Sequence, residues 1–335
     1  ALSPGDDFFA AGGHSLAAAR LFTLIEKRLG QTLPLSAIYD YPTVAALAAV
    51  LREHRPASAW PALHVLVEGP GRPLFCVHSI SGDIMEYRAL ADAIGPNQPF
   101  IGIRAKLDEA VATTYASIEA TAAAYVADIV AYQPRGPYML AGWSAGGTVA
   151  FEMAQQLRAQ GHEVSLLAVL DNAPYNTGYE PRRTVGAVLR QLRNIPAWVR
   201  DDIARSSPSA LAARIRQKVV ALRRKGVARL RQVEDEASIR DVVAFPQSGD
   251  RWETFVAAHY RALLAYVPKP YDGRVTVFKA TTHPLLRLHD ADQMWRMLTT
   301  DVDVHMVTGT HFSIVKEPHV RVLGAGLRAA VARAS

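Results

Sequence analysis

The chain has 335 residues, half of them hydrophobic, and a formal net charge of +6. This length suits two domains, and the apolar fraction suffices for a large buried core. The lone cysteine, Cys76, excludes an internal disulfide, and no cysteine or histidine spacing suits a metal site. We expect a cytoplasmic protein, because no signal peptide heads the chain and no apolar run is long enough to span a membrane.

The positive charge is concentrated in residues 181–231, which hold 14 Lys and Arg residues against only Asp201 and Asp202. No aromatic stacking pattern accompanies this charge, which disfavours a nucleic-acid partner. Three interpretations of the segment stay open: a solvated helical face, a surface that binds nucleic acid or membrane, and a lid whose arginines contact an anionic partner.

Residues 1–53 have the pattern of a small helical unit. Ser15 opens the segment SLAAARLFTLIEKRLG, whose apolar residues recur at helical spacing and which Gly30 ends. A second helix is predicted in TVAALAAVLREH, with Thr43 as its N-cap. Residues 54–60 lack periodicity and contain Pro, Ser and Ala, which is typical of a linker.

From Pro61 onward, apolar strands alternate with amphipathic helices. This alternation predicts a mostly parallel sheet with helices on both faces. Residues 176–250 interrupt it with basic, helix-forming segments, which we interpret as a lid insertion. The predicted strands are ALHVLVEG, RPLFCVHS, PFIGIRA, PYMLAGW, EVSLLAVLD, GRVTVFKA and DVDVHMVTG.

Ser144 lies where a predicted strand turns sharply into a helix. It is the centre of Gly142-Trp143-Ser144-Ala145-Gly146, a G-x-S-x-G pattern. By itself this pattern is weak, but between a strand and a helix it is typical of a nucleophile elbow. The following helix N-terminus favours developing negative charge. Ser144 is therefore the candidate nucleophile.

A serine nucleophile needs a histidine base and an acid that orients it. Asp171 ends the next predicted strand, and His311 follows the last one. Strand ends at one sheet edge can converge, so we predict Ser144, Asp171 and His311 as the catalytic set. Asp290 and Asp292 are rival acids after the strand GRVTVFKA.

The strand end FCVHSISG is the candidate source of an oxyanion donor. A backbone N–H of Ile80 or Ser79 is expected to serve with the N–H of Ala145, the residue after the nucleophile. His78 is interpreted as a structural residue.

The segment DDFFAAGGHSLAAARL followed by LPLSAIYDYPTVAALA resembles the peptidyl carrier (thiolation) domain of nonribosomal peptide synthetases. This resemblance implies that Ser15 receives covalent 4′-phosphopantetheine from a phosphopantetheinyl transferase. Polyketide-type acyl carriers usually have Asp before that serine, where this chain has His14. The first carrier helix has no counterpart here, so we expect a C-terminal fragment of a larger synthetase.

Residues 61–335 resemble the C-terminal thioesterase of such synthetases, which implies an α/β-hydrolase fold with a helical lid insertion, preceded by an all-α carrier bundle. GWSAGG, LDNAP and GTHF carry the resemblance, although HSISG departs from the frequent H-P-x-G-G. The placement of the acid, Asp171, on the strand directly after the nucleophile helix is similar to its placement in the thioesterases that release the product of such synthetases.

The two resemblances together imply a carrier–thioesterase didomain that ends an assembly line. Its partners would be upstream synthetase domains of the same chain and the tethered acyl or peptidyl substrate. Release could occur by hydrolysis or by cyclisation. The alternatives are a polyketide-type acyl carrier–thioesterase pair and a docking module whose hydrolase domain is inactive.

Overall fold

A computed structural model describes residues 3–13, 15–55, 59–174, 176–177, 250–282 and 291–334. The basic stretch 181–231 and nearly all of the predicted lid insertion, 176–250, lie outside the described residues. His14 and the rival acid Asp290 lie outside them as well.

The N-terminal residues form a helical unit. Thr43 caps its last helix as predicted, since its Oγ1 accepts from the N–H of Ala46 at 3.1 Å. A single helical turn lies in the segment predicted as a connection, where burial of Ala37 and Ile38 stabilises a helix too short to persist alone. The helices are α1 (Ser15–Leu29), α2 (Ala37–Asp40) and α3 (Val44–Arg52).

This helical unit has its own apolar core. Phe22 and Ile25 of α1 pack with Ile38 of α2 and Leu47 of α3. Trp60, which falls in the predicted linker 54–60, packs against the same cluster and is only 6% exposed. The linker residue nearest the sheet therefore belongs to the packing of the helical unit.

In the described part of the chain, seven strands form one sheet in the order β1-β3-β2-β4-β5-β6-β7. All neighbours pair in parallel except β1, which pairs antiparallel with β3. The seven predicted strands and the mostly parallel sheet are confirmed. The strands are β1 (Leu63–Val67), β2 (Leu74–Val77), β3 (Phe100–Ile103), β4 (Tyr138–Trp143), β5 (Val164–Leu170), β6 (Val275–Thr282) and β7 (Val302–Thr310).

Helices cover both faces of the sheet, as predicted. One apolar cluster contains residues of α4 and α10, and a second contains residues of α6, α7 and α8. Among the helices in the described residues, none is long and apolar enough to cross a membrane. The helices are α4 (Tyr87–Ile94), α5 (Val111–Thr114), α6 (Ile118–Tyr132), α7 (Ala145–Ala159), α8 (Asp250–Ala265), α9 (Ala291–Arg296) and α10 (His319–Ala334).

The helical unit contacts the loop that follows β2. The N–H of Ser36 donates to Asp83 Oδ2 at 3.3 Å, and Arg104 Nη1 donates to Ser36 Oγ at 2.8 Å. Tyr39 donates its hydroxyl proton to the carbonyl of Met85 at 3.1 Å. Burial raises the pKa of the Asp83 carboxyl, and the positive charge of Arg104 opposes that rise. The loop after β2 is therefore held from the side of the helical unit.

Candidate active site

Ser144 lies in a sharp turn between β4 and α7. Its backbone has φ 56° and ψ −127°, a conformation that L-residues rarely adopt. Hydrogen bonds hold the turn on both sides. The Ser144 N–H donates to the carbonyl of Leu170 at 3.1 Å, and the Ser144 carbonyl accepts from Asn172 Nδ2 at 2.6 Å and from the Gly147 N–H at 3.0 Å. This geometry places Ser144 at the carboxyl edge of the sheet.

The two glycines of the G-x-S-x-G pattern are required by close backbone contacts. A Cβ on Gly142 would collide with the backbone of Gly146. A Cβ on Gly146 would collide with the carbonyl oxygens of Val77 and His78, at the end of β2. The nucleophile turn and the loop after β2 are therefore packed directly against each other.

The structure brings Ser144, His311 and Asp171 together. His311 Nε2 lies 3.0 Å from Ser144 Oγ, and His311 Nδ1 lies 2.7 Å from Asp171 Oδ2. Because the carboxylate can only accept, Nδ1 carries the proton, and neutral Nε2 accepts from the serine hydroxyl. This tautomer suits a general base for Ser144.

Asp171 is held rigidly after β5. Its side chain is buried, its φ is 46°, and its N–H donates to the Phe278 carbonyl at 2.7 Å. Its Oδ1 accepts from the N–H of Ala280 at 2.9 Å, and its Oδ2 meets His311. The neighbouring strand β6 thus orients the carboxylate toward the imidazole.

Trp143, the variable residue before the nucleophile, supports His311 and was not singled out from the sequence. Its ring lies 5.4 Å from the imidazole, and its Nε1 donates to the His311 carbonyl at 3.1 Å. Phe312, 56% exposed, meets both rings edge to face, with its centroid 5.1 Å from that of His311 and 6.4 Å from that of Trp143. The loop after β7 is therefore fastened to the nucleophile turn.

The rival acid Asp292 points to a different partner. Its Oδ1 forms an ion pair with Lys279 Nζ at 2.6 Å. Lys279 lies on β6, so this pair ties the start of α9 to the sheet. Within the described residues, Asp171 is the carboxylate bonded to His311.

The candidate oxyanion donors lie in the nucleophile turn and in the loop after β2 that packs against it. Ala145 is the first residue of α7, so its N–H has no intrahelical acceptor. Ile80 occupies the tight turn Ser79–Gly82, which the Gly82 N–H closes onto the Ser79 carbonyl at 3.1 Å. Over the described part of the chain, neither the Ile80 N–H nor the Ala145 N–H has a hydrogen-bond acceptor. Both amides are available to a ligand oxygen.

Ser15 is the first residue of α1, a helix of 15 residues without an acidic residue in its first turn. Gly12 has φ +90° in the loop before it, and Asp7 Oδ1 in that loop accepts from the N–H groups of Phe9 and Ala10. The first-turn amides of a helix favour a phosphate. The position of Ser15 therefore fits a serine that carries a phosphodiester.

Glu86 is a buried carboxyl near the site that sequence reasoning missed. Its Oε2 is shielded from solvent and has no hydrogen-bond partner among the described residues. Burial raises its pKa to about 7; its own backbone N–H opposes the rise, Asp83 adds to it, and Lys316 opposes it. It precedes Tyr87, whose hydroxyl donates to the Val77 carbonyl.

Glu86 is expected to make the unfolding free energy pH-dependent. Its folded pKa lies above the unfolded one, so its contribution is present below about pH 4.5 and is lost as the pH rises through about 7. The glutamine of Glu86→Gln stays neutral at every pH. From pH 5 to pH 8 the unfolding free energy of the variant should therefore rise relative to that of the wild type by up to about 3 kcal/mol. Urea unfolding at both pH values measures this.

The exposed Glu53 provides the control for that comparison, because Glu53→Gln should change the unfolding free energy little at either pH. An effect of Glu86→Gln that is equal at pH 5 and pH 8 would contradict the assignment.

Two family models match the chain. The thioesterase domain matches residues 72–325, and the phosphopantetheine attachment site matches residues 1–51. Each match falls inside a predicted domain, 61–335 and 1–53; the exact boundaries stay predictions.

Some of the curated relatives are named as nonribosomal peptide synthases or synthetases. Enterobactin synthase component F of Escherichia coli K12 is 26% identical over 332 residues, covering 98% of this chain and 23% of that protein. Chondramide synthase cmdD of Chondromyces crocatus is 28% identical over 337 residues, covering 96% and 8%. The chain thus spans less than a quarter of either relative. These relatives do not favour a polyketide-type pair.

Solved structures agree on the fold. A holo four domain nonribosomal peptide synthetase bound to AMP and glycine superposes with a TM-score of 0.58 at 25% identity, covering 98% of this chain and 24% of that chain. The NocB thioesterase domain superposes with a TM-score of 0.52 at 24% identity, covering 80% and 99%. The α/β-hydrolase fold expected from the sequence is confirmed.

Proposed function

This chain belongs to the thioesterase domain family and carries a phosphopantetheine attachment domain ahead of it, and we propose that it releases an acyl or peptidyl chain from its own carrier. Carrier plus thioesterase is the didomain arrangement of nonribosomal peptide synthetases. The observation that carries the proposal is the hydrogen-bonded series Ser144–His311–Asp171.

In the first step, Ser144 Oγ attacks the carbonyl carbon of a thioester substrate. His311 Nε2 lies 3.0 Å from that oxygen, so it takes the proton as the bond forms. Asp171 stabilises the resulting imidazolium through its 2.7 Å bond to Nδ1. The imidazolium then returns the proton to the leaving sulfur, and Ser144 is left as an ester.

In the second step, His311 activates water or a nucleophile within the acyl chain itself. Its attack on the ester frees Ser144 and releases a linear or a cyclised product. In both steps the N–H groups of Ile80 and Ala145 are proposed to bind the oxyanion. Both lack an acceptor in the described residues, Ala145 follows the nucleophile, and the loop that contains Ile80 packs against Gly146.

Ser15 is the proposed attachment site of 4′-phosphopantetheine. When bound, that group supplies the thiol that holds the acyl chain as a thioester. The amides of the first turn of α1 would face its phosphate, and no carboxylate of that turn would repel it. We propose a phosphopantetheinyl transferase as the partner that modifies Ser15. We also propose that loading and release of the acyl chain take place in the cytoplasm.

The source of the acyl substrate is proposed from the relatives. Since the chain spans only part of each synthetase that it matches, we propose that upstream domains of a longer chain deliver the acyl group. Tethering converts delivery into an intramolecular step with a high effective concentration.

A fluorophosphonate probe and a panel of acyl thioesters test this function. We expect one phosphonate adduct per folded chain, located on the peptide that contains Ser144. Thioesters loaded on the holo protein should disappear with formation of free acid or cyclic product, read by mass spectrometry. Urea-unfolded protein is the control and should not be labelled.

An unlabelled folded protein that also leaves every thioester intact would favour the alternative of a docking module with an inactive hydrolase domain.

A further inference from the structure

His78 follows β2 directly and is a fully buried residue that the proposed reaction steps do not use. Burial lowers its pKa to about 4, so the imidazole is neutral near pH 7. One ring nitrogen must then be a donor and the other an acceptor. The contacts of His78 show which is which.

His78 Nδ1 lies 2.5 Å from the carbonyl oxygen of Ser79. A carbonyl can only accept, so Nδ1 carries the proton and Nε2 must accept. The Tyr125 hydroxyl, 2.6 Å from Nε2, is its donor. Tyr125 lies on α6, 47 residues after His78, so only the packing of the fold brings the two side chains together.

A second tyrosine continues the series. The hydroxyls of Tyr115 and Tyr125 lie 3.2 Å apart, and the Lys106 N–H donates to the Tyr115 hydroxyl at 2.7 Å. The Tyr125 hydroxyl therefore joins His78 Nε2 to the Tyr115 hydroxyl. A buried hydrogen-bonded series thus connects the Lys106 amide with the Ser79 carbonyl, and bonds in such a series strengthen one another.

The Ser79 carbonyl is therefore held by two donors. His78 Nδ1 approaches it from the core, and the Gly82 N–H closes the turn onto it at 3.1 Å. This carbonyl shares its peptide plane with the Ile80 N–H. In a trans peptide the C=O and N–H point in opposite directions, so fixing the carbonyl also fixes the direction of the amide.

This loop is close to the nucleophile. Gly146, two residues after Ser144, packs so closely against the Val77 and His78 carbonyls that a Cβ there would overlap them. The turn that contains Ile80 thus begins directly beside the N-terminus of α7.

We propose that His78 is a positioning residue that orients and polarises the Ser79–Ile80 peptide, so that the Ile80 N–H is directed at the developing oxyanion. The inference rests on the proposed function, because it requires acyl transfer to Ser144. It extends that function by giving the buried series Tyr115–Tyr125–His78 a task in transition-state stabilisation.

His78→Leu tests the proposal, with His78→Asn as the conservative variant, because an asparagine amide can donate near the position of Nδ1. Misdirecting one oxyanion donor should lower kcat about 100-fold for a diffusible acyl thioester, with KM nearly unchanged. His78→Asn should recover at least part of the loss. Affinity for a trifluoromethyl ketone should fall in parallel with kcat/KM.

The matched control is His259, a second fully buried histidine whose ring lies 5.6 Å from that of His78. Its two nitrogens have no hydrogen-bond partner in the described residues. His259→Phe therefore perturbs the same aromatic cluster without loosening the Ser79 carbonyl. Its turnover should stay within about twofold of wild type.

The carbonyl stretching frequency of the acylated enzyme is the readout that a structural role would not move. In His78→Leu it should shift to higher frequency, because the ester carbonyl receives a weaker hydrogen bond. Tyr125→Phe, which removes the donor to Nε2, should shift it the same way and serves if His78→Leu fails to fold.

The proposal is overturned if His78→Leu and Tyr125→Phe keep wild-type turnover, or if they are slow with an unchanged carbonyl frequency. Equal losses in His78→Leu and His259→Phe would overturn it as well. These results differ from failure of the proposed function, in which Ser144 itself would be unlabelled and dispensable.

Discussion

Ser144→Ala and His311→Ala are each expected to lower kcat on the order of 10⁴- to 10⁶-fold, while the unfolding midpoint changes little. The reason is that the serine attacks only when both hydrogen bonds are present, Ser144 Oγ to His311 Nε2 and His311 Nδ1 to Asp171. Removing either member leaves the other without its task. Turnover of a diffusible acyl thioester measures the loss.

The losses should be strongly non-additive. Asp171→Asn is expected to cost about 10⁴-fold, less than Ser144→Ala, because the asparagine amide favours the wrong imidazole tautomer. The double variant Ser144→Ala/Asp171→Asn should be no slower than Ser144→Ala alone.

Asp292→Asn is the matched control for the acid. Asp292 is paired with Lys279, so its loss should weaken a contact of α9 with the sheet and leave turnover near that of wild type. An inactive Asp292→Asn beside an active Asp171→Asn would show that the acid has been assigned to the wrong residue.

Ser15→Ala is expected to abolish loading of the carrier. A phosphopantetheinyl transferase with coenzyme A should add one phosphopantetheine to the wild type and none to the variant, as read by intact mass. Release of carrier-borne acyl groups should then be lost completely. Turnover of a diffusible thioester should stay within about twofold, because such a substrate does not need the arm and the substitution leaves the Ser144–His311–Asp171 series intact.

Ser3→Ala is the control for loading, since Ser3 is an exposed serine of the same helical unit. It should accept the arm as the wild type does. A mass increase that survives Ser15→Ala would place the attachment on another residue.

The strands and most of the helices followed from local patterns. Each of the seven strands is an apolar run bounded by turn residues, and burial on both faces of a parallel sheet is what selects such runs. The exceptions in the described residues were two one-turn helices that were not predicted from the sequence, α2 (Ala37–Asp40) and α5 (Val111–Thr114). Helices this short depend on burial, of Ala37 and Ile38 in α2 and of Val111 in α5, which no local pattern expresses.

The candidate site was predictable to the extent that topology dictates it. Strand ends of a parallel sheet share an edge, so a serine, an acid and a histidine that follow strands were expected to converge. The choice between Asp171 and Asp292 required the tertiary structure. It depends on the Ala280 N–H, which orients Asp171, and on Lys279, which holds Asp292.

Sequence alone determined the fold class, the carrier and thioesterase resemblances, and the candidate nucleophile, because motif spacing and apolar periodicity are local properties of a chain. Only the tertiary structure decided what surrounds the nucleophile: Trp143 against His311, and Tyr125 bonded to His78. Such contacts join residues far apart in sequence. They form only when strands and helices pack, since burial then requires each polar group to find a partner.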